Sequence, residues 1–155
     1  MSPECLVIDT LMSPVEKNTK PQTSVLIVDD NVQYAGMLKR ILGNAFGYQD
    51  VCMVEDIGAA YTLISSSPER FQLLFIDYNF PNGVTGGELL ERLQKDEMLR
   101  GRVAFLITAD PTIENMKQAM AAGAQGVVAK PFNREDLKSK LRDAERSIGD
   151  EEGEF

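Results

Sequence analysis

The chain alternates between short apolar runs and longer stretches in which apolar residues recur every three or four positions. Near-continuous apolar runs occur at residues 25–28, 73–76 and 103–107, with weaker ones at 51–54 and 127–128. Runs of this length, rich in β-branched residues, are typical of strands that are buried on both faces. The pattern therefore predicts five strands.

Stretches with the periodicity of a helix lie between these runs and after the last of them. Asn31 stands before the first helical stretch and is a good N-cap residue, whereas Pro68 and Gly123 follow the second and fourth stretches. The pattern predicts five helices with one apolar face each. In chain order, the predicted faces are Tyr34, Met37, Leu38, Ile41, Leu42 and Ala45; Ile57, Ala60, Tyr61 and Ile64; Leu89, Leu90 and Leu93; Ile113, Met116, Ala119 and Met120; and Leu137, Leu141, Ala144 and Ile148.

Strands that alternate with helices predict an α/β fold with a parallel sheet, because parallel strands need crossover connections. Right-handed crossovers favour a doubly wound sheet covered by helices on both faces. The 155 residues suit a single domain. We predict an N-terminal extension at 1–23, the domain at 24–148 and an acidic C-terminal tail at 149–155.

Composition excludes several classes of function. A net charge of −8 leaves no basic footprint for direct nucleic-acid binding, and the lack of histidine excludes His-metal sites and Ser–His–Asp triads. Cys5 and Cys52 are the only cysteines, which fits a reducing compartment better than a disulfide framework. No apolar run approaches the roughly 20 residues of a membrane span, and no signal peptide is visible. We therefore expect a cytoplasmic protein without membrane contact.

Chemistry-bearing residues follow the predicted strands. The first strand ends in Asp29 and Asp30, the third in Asp77, the fourth in Thr108 and the fifth in Lys130. Ligands of open parallel sheets bind beyond the carboxyl ends of the strands, so these side chains are expected to meet at one edge. Three neighbouring carboxylates repel one another unless a cation such as Mg²⁺ joins them. A carboxylate that attacks phosphorus forms an aspartyl phosphate, which a lysine and a hydroxyl could stabilise.

Each of these residues also has an ordinary structural interpretation. Helix capping could be the only role of Asp29 and Asp30, and Asp77 could be a turn residue before a Pro-Gly loop. Thr108 could bond to nearby backbone, and Lys130 could be a solvated lysine. Their joint placement at successive strand ends favours a phosphoryl-transfer site.

The segments around these positions resemble the four signatures of response-regulator receiver domains of two-component signalling. The matching segments are 25–31, 76–81, 108–109 and 130–132, in the order found in that family. The resemblance covers about residues 24–147 and implies a flavodoxin-like fold, a five-stranded doubly wound parallel sheet with five helices.

The resemblance implies a role for each residue of the predicted site. Asp77 would be the phosphoacceptor, Asp30 would bind Mg²⁺ directly and Asp29 would do so through water. The backbone carbonyl of Asn79 would supply a further metal ligand. By the same resemblance, Thr108 would be the switch hydroxyl and Lys130 the phosphate-binding lysine, followed by a cis bond to Pro131.

Two segments depart from the family pattern. Val127 stands where the family usually has an aromatic residue whose rotation is coupled to the switch hydroxyl, so that relay is in doubt. The loop at residues 81–88 is one residue longer than usual and carries three glycines. It is either a tolerated surface insertion or a segment that tunes partner choice or phosphate lifetime. Asn79 and Asp110 occupy the positions where the family tunes hydrolysis, and we expect measurable self-dephosphorylation.

The sequence therefore predicts a phosphorylation-controlled interaction module rather than an enzyme. A sensor histidine kinase or a histidine phosphotransfer protein would be the phosphoryl donor, and an unknown protein would receive the output, with a phosphorelay intermediate as the nearest variant. Only the acidic tail follows the fifth helix in this sequence, so we expect no DNA-binding or enzymatic output domain in this chain. The expected output face lies on the fourth helix, fifth strand and fifth helix, with Ile113, Lys117, Val127 and Lys138 as candidates.

Three other functions compete with this one. A pseudo-receiver would use the same fold as a scaffold without phosphorylation, which Val127 favours and the complete acidic set opposes. An aspartate-nucleophile phosphatase would need a carboxylate at Asn79 as general acid and base. A dinucleotide enzyme would need a glycine-rich turn where the first strand leads into Asp29, Asp30 and Asn31.

Overall fold

The five apolar runs pair into one parallel sheet in a computed structural model that describes residues 23–152 of the chain. Neighbouring strands follow the order β2-β1-β3-β4-β5. The chain adds β2 on one side of β1 and then β3, β4 and β5 on the other side, so the order of winding changes at the boundary between β1 and β3. This confirms the predicted doubly wound α/β fold. The strands are β1 (Ser24–Val28), β2 (Asp50–Val54), β3 (Leu73–Asp77), β4 (Val103–Thr108) and β5 (Gly126–Ala129).

Five helices connect and follow the strands in the described part of the chain, as the sequence predicts. A short 3-10 turn at Pro81–Gly83 lies between β3 and the third helix. The helices are α1 (Val32–Phe46), α2 (Ile57–Ser65), α3 (Gly86–Lys95), α4 (Ile113–Ala121) and α5 (Arg134–Glu152).

Each face of the sheet has its own hydrophobic core, because successive side chains of a strand point to opposite faces. Leu26 and Val28 of β1 pack with residues of α2, α3 and α4. Val25 and Ile27 pack with residues of α1 and α5. Both faces are therefore covered, which explains why β1, β3 and β4 are apolar along almost their whole length.

Local capping sets the ends of α1. The Asn31 side chain accepts hydrogen bonds from the backbone N–H groups of Gln33 and Tyr34 at 3.0 and 3.1 Å, which confirms the predicted N-cap. At the other end, Gly47 adopts φ 81°, and its N–H donates to the carbonyl of Gly43. Only glycine adopts this left-handed conformation freely, so the helix ends there.

Three predicted core positions are wrong. Ala45 is exposed, and Met116 and Met120 expose 37% and 52% of their surface. In α4 the side chains that are buried are small: Ala119, which was correctly predicted, and Ala122, which directly follows the helix. A narrow contact of this kind leaves the longer side chains on either side of it in solvent.

The last helix is longer than the sequence predicts. Its backbone remains helical to Glu152, so residues 149–152, which were assigned to the acidic tail, continue α5. No proline interrupts this stretch, and glutamate is a good helix former. Residues 1–22 and 153–155 lie outside the described residues, and so do the predictions on the N-terminal extension and on the pairing state of Cys5.

A half-buried arginine, which no sequence pattern singles out, joins the backbone at the amino-terminal edge of the sheet. Arg102 directly precedes β4, and burial lowers the pKa of its guanidinium group. The guanidinium donates to the backbone carbonyls of Ser67 (2.8 Å), Arg70 (2.9 and 3.1 Å), Phe71 (3.1 Å), Met98 (2.6 Å) and Ile64 (3.5 Å). One side chain therefore supplies hydrogen-bond donors to backbone carbonyl groups after α2, before β3 and after α3.

Among the described residues, no helix combines the length and the apolar character that crossing a bilayer requires.

Candidate functional site

The carboxyl ends of β1, β3 and β5 bring two aspartates and a lysine together. The Lys130 ammonium lies 3.2 Å from Asp29 Oδ2 and 3.0 Å from Asp77 Oδ1. Both aspartates are buried, with 2% and 6% of their surface exposed. Residues that are far apart in sequence thus share one cleft, as their positions at strand ends predict.

A third carboxylate completes an acidic cluster. Oxygen atoms of Asp29, Asp30 and Asp77 all lie within 4.8 Å of one another, and among the described residues they form the one acidic group that could hold a metal ion. Asp30 is exposed, so the cluster opens to solvent. Hard oxygen donors at this spacing fit Mg²⁺, which binds carboxylates and keeps part of its water shell.

The turn after β1 holds Asp29 in place. Its backbone N–H donates to the carbonyl of Val54 at 3.0 Å, which joins it to the end of β2. Its Oδ1 accepts a hydrogen bond from the Asn31 N–H at 2.9 Å, while Oδ2 meets Lys130. Both oxygens therefore have protein partners, and the helix cap is Asn31 rather than either aspartate.

The charges of the cluster do not balance, because one ammonium faces three carboxylates. Burial raises the pKa of Asp77, the hydrogen bond from Lys130 opposes that rise, and the charges of Asp29 and Asp30 add to it, so the net direction is upward. Burial lowers the pKa of Lys130, but the hydrogen bonds and charges of Asp77 and Asp29 outweigh it and raise the pKa overall. The cleft therefore favours the ammonium form and attracts additional positive charge.

Thr108 is the last residue of β4, between the strands that carry Asp77 and Lys130. Neighbouring strands pair Asp77 with Ile107 and Thr108 with Ala129. The Thr108 hydroxyl is buried and accepts a hydrogen bond from the Asp110 N–H at 3.0 Å. The structure thus places Thr108 at the predicted edge, with a contact to the following loop.

The remaining predicted site residues lie after or within β3, β4 and β5. The Lys130–Pro131 bond is cis, as expected. Val127 is half-buried and packs against the core formed with α2, α3 and α4. Asn79 and Asp110 are exposed, and Asn79 forms an isolated antiparallel bridge with Thr85. Their roles in switching or tuning stay predictions.

The long loop after Asp77 folds back on its own backbone. The Phe80 N–H donates to the Val84 carbonyl at 3.0 Å, and the Gly86 N–H donates to the Tyr78 carbonyl at 2.7 Å. A β-carbon on Gly86 would lie 2.1 Å from the carbonyl oxygen of Asp77. Gly86 therefore permits α3 to begin directly against the end of β3. The sequence shows Gly86 only as one of three glycines in the loop and does not reveal that this position needs a glycine.

An aromatic residue that no sequence motif assigns to the site also contacts it. The Lys130 ammonium lies 4.3 Å from the ring centroid of Tyr34, which the helical pattern places among the buried positions of α1. Tyr34 and Lys130 lie in the first and last thirds of the chain, so no local pattern pairs them.

Comparison with known proteins identifies the arrangement. Residues 25–142 match the family model of the response regulator receiver domain. The chain belongs to this family. The receiver domain is 32% identical to the chemotaxis protein CheY of Pseudomonas aeruginosa over 117 residues, covering 76% of this chain and 91% of that protein. It is 31% identical to the chemotaxis protein CheY-3 of Vibrio cholerae over 127 residues, covering 82% of this chain and 92% of that protein.

Solved structures agree with this assignment. A CheY-like response regulator receiver domain protein from Methanospirillum hungatei superposes with a TM-score of 0.72 at 29% identity. The match covers 83% of this chain and 98% of that one. The chemotaxis protein CheY4 of Vibrio cholerae gives a TM-score of 0.68 at 27% identity, covering 79% of this chain and 98% of that one. This receiver domain is thus a two-component signalling domain with the fold of CheY-like proteins.

The crowded carboxylates lead to a prediction about stability. Asp77→Asn is expected to raise the free energy of unfolding at pH 7 in the absence of divalent cations. The expected increase is roughly 0.5–2 kcal/mol, the usual range for a single stabilising substitution. The pKa of Asp77 is raised above its ordinary value of 3.8. Stabilisation from its protonated form is therefore present below the unfolded-state pKa and is lost as pH rises through the folded-state pKa. The neutral amide removes the charge that is unfavourable at pH 7.

Urea unfolding of both proteins, with chelator and then with Mg²⁺, measures this effect. Mg²⁺ should stabilise the wild type more than Asp77→Asn, because a ligand that binds the folded state stabilises it by mass action. A less stable Asp77→Asn protein in chelator would show instead that the ion pair with Lys130 dominates.

Proposed function

We propose that this receiver domain accepts a phosphoryl group on Asp77 and thereby controls contact with a partner protein. The observation that carries the proposal is the single cleft in which Asp77 lies 3.0 Å from Lys130 and within the carboxylate cluster of Asp29 and Asp30. A scaffold without phosphorylation needs neither the clustered carboxylates nor the lysine. Membership of the receiver family and likeness to chemotaxis CheY proteins support the same function.

The transfer step uses Asp77 as the nucleophile. A carboxylate oxygen of Asp77 forms a bond to phosphorus while the bond between phosphorus and the donor breaks, and that electron pair leaves with the donor. The product is a mixed anhydride of the Asp77 carboxyl and phosphate. Attack of water on phosphorus later returns the carboxylate and inorganic phosphate, which is the self-dephosphorylation that the sequence predicts.

The surrounding residues position and neutralise the transferred group. Lys130 would pair with a phosphoryl oxygen, and Asp29 Oδ2 lies 3.2 Å from the same ammonium. The Thr108 hydroxyl would donate to another phosphoryl oxygen. Asp29, Asp30, Asp77 and the carbonyl of Asn79 would hold Mg²⁺, which when bound neutralises charge between carboxylate and phosphoryl oxygens.

The partners follow from this chemistry. The donor would be a phosphohistidine on a sensor kinase or on a histidine phosphotransfer protein, and the output would be a protein rather than nucleic acid. Val127, Asn79 and Asp110 would adjust switching and phosphate lifetime. The domain boundaries of 24–148 and a cytoplasmic location remain part of this proposal.

Incubation with acetyl phosphate and Mg²⁺ tests the function. Intact mass spectrometry should show the gain of one phosphoryl group on the wild type, no gain with chelator and no gain on Asp77→Asn. Asp143→Asn serves as a matched control, because Asp143 is an exposed aspartate of α5 that forms an ion pair with Arg146 at 3.7 Å. No phosphoryl gain on the wild type, or an equal gain on Asp77→Asn, would refute the proposal.

A further inference from the structure

The Lys130 ammonium has a contact that its two carboxylate partners do not explain. An ammonium carries three N–H donors, and Asp29 and Asp77 accept from it at 3.2 and 3.0 Å. The ring centroid of Tyr34 lies 4.3 Å from the same nitrogen. The negative face of an aromatic ring attracts a cation at this range, and more strongly where water is excluded. The Lys130 side chain is 12% exposed, so the site is well shielded.

Two contacts hold Tyr34 itself in place, one through its backbone and one through its ring. Its backbone N–H donates to the capping oxygen of Asn31 at 3.1 Å, which fixes the first turn of α1. Its ring packs against Phe132 with a centroid distance of 5.9 Å and a tilt of 48°. Phe132 is buried and lies two residues after Lys130. The ring thus joins the start of α1 to the segment that carries the lysine.

The ring contact differs from the carboxylate contacts in one respect. When Asp77 becomes a mixed anhydride, it loses the charged oxygen that Lys130 faces at 3.0 Å. The face of Tyr34 does not change in that reaction. It can therefore restrain the ammonium both before and after Asp77 is modified.

We infer that Tyr34 is a positioning residue that holds the Lys130 ammonium over the phosphoacceptor cleft. This inference rests on the proposed function for its role in phosphoryl transfer, whereas the contact itself does not depend on that function. Tyr34 acts on the phosphoryl group through Lys130 alone.

Substitutions that separate the ring face from the hydroxyl test the inference. Tyr34→Leu is expected to slow phosphorylation by acetyl phosphate and Mg²⁺ about ten-fold, as loss of a shielded cation–π contact implies. Tyr34→Phe keeps the ring face and should restore the rate to within about two-fold of wild type. Tyr34→Met provides a second ringless variant should the leucine variant fold poorly, with urea unfolding as the check on each protein.

A double-mutant cycle decides whether Tyr34 acts through the lysine. In a Lys130→Met background, Tyr34→Leu should cause no further loss of rate, because the partner of the ring is already absent. A full additional loss in that background would overturn the inference, as would an unchanged rate in both ringless variants or an equal loss in Tyr34→Phe.

A spectroscopic measurement keeps this result separate from the proposed function. The Lys130 side-chain protons should show an upfield ring-current shift in the NMR spectra of the wild type and Tyr34→Phe, and this shift should disappear in Tyr34→Leu. Should the wild type take no phosphoryl group, the proposed function fails and the NMR result still decides the positioning role. Unchanged Lys130 shifts in Tyr34→Leu would contradict it.

Discussion

Replacement of Gly86 by alanine is expected to destabilise the domain by about 3 kcal/mol and to slow phosphorylation of Asp77 about 100-fold. The added β-carbon would lie 2.1 Å from the Asp77 carbonyl oxygen and 2.8 Å from a methyl group of Ile76. These are backbone and core atoms at the end of β3, so no flexible side chain can move aside. Either α3 or the phosphoacceptor must shift. A displacement of roughly 1 Å at a reacting group slows a reaction about 100-fold.

Gly87→Ala is the matched control for this substitution. Its β-carbon would meet only the Tyr78 ring at 3.4 Å and the Thr85 hydroxyl at 3.6 Å, which are ordinary contacts. Because alanine favours a helix more than glycine does, stability should stay unchanged or rise by up to about 1 kcal/mol. Urea unfolding and the rate of acetyl phosphate labelling measure both variants. Equal behaviour of the two would show that the close approach of α3 to Asp77 has no consequence.

Replacement of Arg102 by methionine is expected to lower the free energy of unfolding by about 3 kcal/mol or more, a large share of the roughly 5–15 kcal/mol of a typical domain. Methionine keeps the apolar stem but removes every donor. The shortest of the lost bonds, at 2.6, 2.8 and 2.9 Å, are those to Met98, Ser67 and Arg70. Poorly solvated carbonyl groups that lose a charged donor each destabilise the folded state by roughly 1–3 kcal/mol.

Phe71 adds to the expected effect of Arg102→Met. This buried phenylalanine adopts φ 62°, a left-handed conformation that is strained for a bulky residue. Its carbonyl accepts from Arg102 at 3.1 Å, and its N–H donates to the Ser24 hydroxyl at 2.6 Å. Without the guanidinium, one of these two restraints is lost.

Arg100→Met is the control for the charge change alone. The Arg100 side chain is 82% exposed and pairs only weakly with Glu97, at 3.8 Å, so its loss should change stability by no more than about 0.5 kcal/mol. Chemical unfolding of both variants gives the comparison. Because Arg102 lies at the edge of the sheet opposite the cleft, folded Arg102→Met protein should still accept a phosphoryl group. A stability loss below 1 kcal/mol, roughly the value of one ordinary hydrogen bond, would contradict the proposed role of the guanidinium.

Strand and helix patterns predicted most of the fold because burial on a parallel sheet leaves a local signature. A strand covered on both faces must be apolar along its length, which identified β1, β3 and β4. Helical periodicity was wrong at Met116 and Met120, which expose 37% and 52% of their surface. Helical periodicity shows which side of a helix is apolar, but it does not show how closely that helix approaches the sheet.

The acidic site was also predictable, since topology alone decides which strand ends meet. Once β1, β3 and β5 run parallel in one sheet, Asp29, Asp77 and Lys130 must lie at the same edge. The distances of 3.2 and 3.0 Å from Lys130 to the two aspartates agree with that expectation. Their assigned roles in phosphoryl transfer come from the family resemblance and await the labelling experiment.

Sequence by itself thus determined the α/β architecture, the cap at Asn31 and the set of charged residues at the strand ends, because each depends on short-range patterns or on strand order. Tertiary structure alone decided that Tyr34 faces Lys130 at 4.3 Å, that Gly86 lies against the Asp77 carbonyl and that Arg102 joins three chain segments. These contacts depend on interatomic spacing between elements that fold from distant parts of the chain. Neither residue type nor periodicity encodes that spacing locally, since it results from the packing of the whole domain.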